Sequence, residues 1–136
     1  MHVRTAAKLL LLTIFLVACG STPSWEGYSP VEAGKLQAMG LSPSDANHYR
    51  DMGFTSDTIQ QWFDAGFRRR DTITAWHDAG FQAGDAGQWQ NGSFSLKEAH
   101  TWREKNFSAE EAQGWHDKGF ELKDAEKLRK KGLSAN

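Results

Sequence analysis

Sulfhydryl chemistry is nearly absent from this 136-residue sequence: Cys19 is the single cysteine, which rules out an intramolecular disulfide. Proline is scarce too, with Pro23, Pro30 and Pro43 all in the first third of the chain. Neither sign of charge is in excess, since 16 Lys and Arg stand against 17 Asp and Glu. A near-neutral balance excludes a dominant polybasic character and the strong non-specific nucleic-acid binding that goes with it. No apolar run is long enough to span a bilayer; Leu9–Val17 falls well short of the roughly 20 residues a spanning helix needs. Aromatic residues, by contrast, are plentiful: six Trp and eight Phe bring the aromatic share to 12%, which excludes a disordered tail. With 24% charged residues and a mean hydropathy of −0.62, the composition describes one modest soluble domain.

The N-terminal stretch is organised as an export address. His2, Arg4 and Lys8 precede the short apolar run, and small residues follow it in Ala18-Cys19-Gly20. Leu16-Val17-Ala18-Cys19 resembles the lipobox of bacterial lipoproteins. That resemblance implies cleavage before Cys19 and acylation of Cys19, which anchors the chain to a membrane through its N-terminal lipid. Each buried methylene contributes roughly 0.8 kcal/mol, so several acyl chains hold a soluble domain firmly. Gly20 and Ser21 lack the Asp that retains such proteins on the inner membrane of enteric-type bacteria, which implies the outer membrane, facing the periplasm. The expected division is a signal peptide over 1–18, a lipidated Cys and tether over 19–28, and a repeat domain over 29–136. Without Arg4 and Lys8 the mature body carries 14 basic and 17 acidic residues, near −3.

From Ser29 onward the sequence repeats with a period of thirteen. The units are 29–41, 42–54, 55–67, 68–81, 82–94, 95–107, 108–120 and 121–133, the fourth carrying one extra residue. One slot reads Leu36, Tyr49, Trp62, Trp76, Trp89, Trp102, Trp115, Leu128; another reads Leu41, Phe54, Phe67, Phe81, Phe94, Phe107, Phe120, Leu133. A third, from Ala33 to Ala125, is Ala in six units and Ile in two. Ser29, Ser42, Thr55, Ser95 and Ser108 open their units as helix N-caps, with Glu32, Asp45, Glu98 and Glu111 three residues on, where a capping box places its acid. Gly closes six units, with Ser93 and Asn106 in the other two; a left-handed residue there ends the helix and lets the next Phe or Leu fold back on it. Each unit is therefore expected to be one helix of about ten residues and a tight turn. Helices this short are unstable alone, so neighbours must stack. The predicted fold is all-α, an array of about eight short helices forming a solenoid or a compact superhelical bundle. The repeat body resembles short tandem helical repeats of uncharacterised bacterial proteins, a resemblance that implies no function.

Chemical signals are sparse. His48, His77, His100 and His116 fall in three different slots; His77 and His116 share the position after Trp with Arg50, Phe63, Gln90, Arg103 and Arg129, which reads as a tolerant surface slot. No metal site, cofactor or catalytic constellation is expected, and the acids recur as helix-start charges. The consensus junction Gly-Phe-Ser-x-x-Glu-Ala resembles the helix-turn-helix of DNA-binding proteins. Those motifs place a small residue four before the Gly, whereas Tyr49 and Trp62 stand there, and no nucleic-acid partner is expected. Met52-Gly53-Phe54 resembles the loop of ubiquitin-associated domains, which implies that an apolar turn on a short helix pair can grip a protein. The Trp ladder reads as core rather than as a sugar-stacking platform. Trp25, outside the register, has the best claim among the Trp residues to the surface.

Departures from the repeat carry the functional expectation. Phe63 fills an otherwise polar slot, and Arg68, Arg69 and Arg70 coincide with the extra residue. An exposed Phe beside an Arg cluster is a partner-binding candidate; the other reading is a solvated loop over a locally wider core. Lys105, Lys118 and Lys131 share one slot, either as helix-end charges or as a basic ridge toward an anionic envelope surface. The expected function is non-enzymatic: a lipid-anchored envelope module that binds or scaffolds an envelope protein, with cell-wall glycan binding as the alternative.

Overall fold

The computed structural model describes residues 23–135. Among them run eight α-helices and no strand: α1 (Pro30–Ala38), α2 (Pro43–Asp51), α3 (Ser56–Asp64), α4 (Arg70–Asp78), α5 (Ala83–Asn91), α6 (Leu96–Glu104), α7 (Ala109–Asp117) and α8 (Leu122–Lys130), each of nine residues. The all-α repeat array expected from the thirteen-residue period is what the chain forms.

Helix starts follow the hydroxyl slot. Ser29, Ser42, Thr55, Ser95 and Ser108 each accept the backbone N–H three residues on, and the reciprocal carboxylate bond is made by Asp45, Glu98 and Glu111. The Ser95 hydroxyl and backbone N–H hold the Glu98 carboxyl below its ordinary range. Glu32 breaks the rule: its carboxylate accepts the backbone N–H of Ser56 at 3.3 Å, tying α1 to the start of α3.

Helix ends explain why two aromatic slots stand five apart. In unit three the N–H of Gly66 donates to Phe63 O at 3.0 Å and that of Phe67 to Trp62 O at 3.0 Å, the two bonds of a Schellman motif. The Trp and Phe slots are the two positions whose side chains close that motif. Their rings meet 4.9–5.8 Å apart in the six units from Tyr49–Phe54 to Trp115–Phe120. One aromatic pair thus stops the helix and supplies its core. Ser93 (φ 63°) and Asn106 (φ 58°) take the left-handed place that Gly holds elsewhere. A Cβ costs energy there, so Ser93→Gly is expected to stabilise the array by roughly 0.5–1 kcal/mol after the looser unfolded chain is counted. A urea midpoint that falls instead of rising refutes that account.

The helices pack in two interleaved rows. Helix contacts join α1 to α3, α3 to α5 and α5 to α7, and α7 also to its neighbours α6 and α8, while side-chain bonds between residues 23 to 26 apart link the even helices to one another. The structural repeat is therefore a pair of units. The first helical residue shows the alternation: Ser56, Ala83 and Ala109 are small and buried in odd units, while Arg70, Leu96 and Leu122 are larger and at least partly exposed in even ones. Close approach within the odd row fixes Gly87, where a Cβ would stand 3.1 Å from the Cβ of Ala65. Trp62, Trp76, Trp89, Trp102 and Trp115 form a continuous core, none more than 5% exposed.

The tether expected over 19–28 is folded at its C-terminal end. Gly27 is left-handed (φ 87°), Trp25 and Tyr28 meet edge-on at 5.8 Å, and both pack against the core. Gly27-Tyr28 repeats the Gly-Phe turn of the later units, and Arg50 lies 4.7 Å over the Tyr28 ring. Trp25 is consequently half-buried rather than a free surface residue.

Candidate functional site

The position after Trp is where sequence reasoning missed a structural role. Arg103 lies flat on Phe81, 3.5 Å from the ring centre, and donates to Gly80 O at 2.9 Å and Ala79 O at 2.5 Å. Arg129 repeats this on Phe107 at 3.6 Å, donating to Asn106 O at 3.0 Å and Lys105 O at 2.5 Å. Each guanidinium neutralises the negative end of a helix two units earlier and roofs its aromatic turn. His77 meets Phe54 edge-on at 4.8 Å and His116 meets Phe94 edge-on at 5.7 Å, ring contacts without the carbonyl bonds that Arg103 and Arg129 make. At Arg103 and Arg129 the slot is an inter-unit clasp, whereas Arg50, Gln90 and His116 in the same slot are exposed. A signal for it exists in the sequence: Arg103 and Arg129 stand 22 residues after Phe81 and Phe107.

At Phe63 the clasp is replaced by an apolar residue, and the structure corrects the expectation of an exposed ring. Phe63 is only 8% exposed because it occupies the clasp position, sharing a cleft wall with Met39 and Leu41. Arg68, the inserted residue, lies 4.9 Å over the Phe63 ring and donates to Phe63 O and, at 3.2 Å, to Phe67 O. It caps α3 from the residue that directly follows the third unit. Arg70 pairs with Asp45 at 3.2 Å and binds the start of α4 to α2. Arg69 occupies the N-cap of α4 without a capping side-chain bond and is exposed. The three arginines therefore point to three tasks rather than one cluster.

Two concavities flank Arg68. The larger, about 590 Å³, is floored by Ala38, Met39 and Phe63 and edged by Lys35, Asp57, Gln60 and Arg68. The smaller, about 190 Å³, runs past Tyr49 to Arg70. Burial pushes the Tyr49 phenol up to about 12, so it stays neutral beside that cleft. Across the larger one Lys35 and Asp57 make an exposed ion pair at 3.2 Å, an interaction weak enough for a ligand to break. The arrangement is an apolar floor under a rim of two cations, one carboxylate and one amide.

Other singled-out residues are dispersed. His48 bonds Thr74 Oγ1 at 3.0 Å and His100 lies 3.7 Å from Glu104; no group of three metal-ligating side chains occurs among the described residues. Lys105, Lys118 and Lys131 are the C-caps of α6, α7 and α8. Two-row packing puts Lys105 and Lys131 in one row and Lys118 in the other, so they do not form a single ridge. Cys19 lies outside the described residues, and no helix among those described is long and apolar enough to cross a membrane. No family model, curated protein or solved structure matches the chain.

Proposed function

We propose that the protein is a lipid-anchored module of the bacterial envelope that binds another envelope protein, with Cys19 as the acylated residue and the Phe63–Arg68 cleft as the binding site. The cleft carries this reading: in the stretch with the extra residue, the clasp gives way to an apolar floor edged by Lys35, Asp57 and Arg68. Such a surface suits a segment with an apolar anchor next to a carboxylate, since Arg and buried apolar anchors dominate protein interfaces. The role is non-catalytic; the array supplies rigidity, the lipid supplies location. Burial of Trp62, Trp76, Trp89, Trp102 and Trp115 takes those five rings out of a sugar-stacking role.

Three variants of the full chain, expressed in a bacterium, test the two halves of the reading. Cys19→Ser is expected to leave the membrane fraction or remain unprocessed; maturation and outer-membrane fractionation at wild-type level overturn the lipid anchor. A photo-crosslinking residue at the exposed Gln60 is expected to give one discrete adduct with an envelope protein, lost in Lys35→Glu. An absent adduct, or one indifferent to Lys35→Glu, overturns the cleft.

A further inference from the structure

Charge is unevenly distributed along the array. Residues 118–135 carry six basic and three acidic side chains, a net +3, while residues 23–117 carry eight and fourteen, a net −6. The cationic end is also where the aromatic turns lie bare. Phe67, Phe81, Phe94 and Phe107 are buried, whereas Phe120 is 36% and Leu133 53% exposed. Arg129 roofs Phe107, and no described residue lies over Phe120 or Leu133 in that way. Lys118 and Lys131 stand two residues before these two apolar side chains, and Lys123, Lys127 and Lys130 are exposed on α8. None of the five lysines is ion-paired among the described residues.

We infer that this end of the array rests on an anionic lipid bilayer, with the lysines among the headgroups and Phe120 and Leu133 at their boundary with the acyl chains. Lysines near an anionic leaflet are attracted individually and need no fixed partner geometry, which matches five unpaired ammonium groups on the same last stretch of chain as two exposed apolar residues. Protein interfaces, by contrast, are enriched in Arg and depleted in Lys. The lipid at Cys19 holds the N-terminal end of the array and this contact holds its C-terminal end, so the two together lay the array along the membrane. This contact is separate from acylation at Cys19, which serves neutral and anionic membranes alike.

Amide hydrogen exchange on the processed chain, isolated from membranes and reconstituted into vesicles, tests the contact. In vesicles of phosphatidylcholine with an equal share of phosphatidylglycerol, amides of 118–133 should exchange about tenfold more slowly than in phosphatidylcholine alone, a difference of roughly 1.4 kcal/mol. Raising the salt to about 1 M, where the Debye length is about 3 Å, should abolish the difference. The triple change Lys118→Gln, Lys130→Gln and Lys131→Gln should also abolish it, while the same three positions as Arg should keep it. Equal exchange in the two vesicles, or slowing that survives the Gln changes, overturns the inference. Slowing that appears only on addition of an acidic soluble protein overturns it in favour of a protein-binding face.

Discussion

Trp102→Ala is expected to cost about 3–5 kcal/mol and to lower the melting temperature by more than roughly 10 °C. Trp102 is 4% exposed, with its ring 5.0 Å from Phe107 and 6.1 Å from Phe94. Truncation leaves a cavity between two units and removes one partner of the ring pair that closes the α6 terminus. Its own carbonyl still accepts from Phe107 N at 3.1 Å, so the loss is one of packing and not of backbone bonding. Stability in such arrays is a sum over units and the interfaces between neighbours. A damaged sixth unit therefore weakens its contacts on both sides. Far-UV circular dichroism across a urea series measures the effect. An unchanged midpoint would place Trp102 outside the core and contradict the row packing.

The unit, its starts and its stops were legible because they are local. A Ser that caps, a carboxylate three residues on and a Gly before Phe act within one turn of helix, so residues 42–54 announce α2 without reference to anything distant. The pairing of units was harder to see, because it depends on partners two units away. Its trace lies in the alternation of Ser56, Ala83 and Ala109 with Arg70, Leu96 and Leu122, which a thirteen-residue frame averages out. Glu32 shows the same limit: by spacing it belongs to its own cap, yet it bonds Ser56 N on the neighbouring odd helix. Phe63 looked exposed because its slot is polar in other units; that slot is in fact the clasp, and a buried ring fits there when the earlier turn offers Leu41 and Met39 instead of an aromatic residue. Arg68 does lie over Phe63, but as a local stack that ends α3, with Arg70 turned toward Asp45.

The clasp itself gives the second large effect. Arg103→Gln should destabilise the array by about 2–3 kcal/mol, from lost charge-assisted bonds to two helix-end carbonyls and a lost cation–π contact. One third of the Arg103 side chain is solvent-accessible, which keeps the figure below that of a fully buried ion. Asp85, 3.9 Å from the guanidinium, adds little by comparison. Arg103→Lys retains the charge but not the planar fork that lies on Phe81 while reaching the carbonyls of Ala79 and Gly80. It should therefore still cost about 1–2 kcal/mol. A double-mutant cycle with Phe81→Leu separates the stacking part, expected at about 0.5–1 kcal/mol of coupling. Urea melts of the four proteins decide between a clasp and a solvated surface arginine. If Arg103→Gln shifts stability by less than about 0.5 kcal/mol, the position is an ordinary exposed one. In that case the recurrence of Arg50, Arg103 and Arg129 over Tyr28, Phe81 and Phe107 has no energetic meaning. A graded loss, Gln worse than Lys and both coupled to Phe81, is the pattern that the bidentate geometry requires.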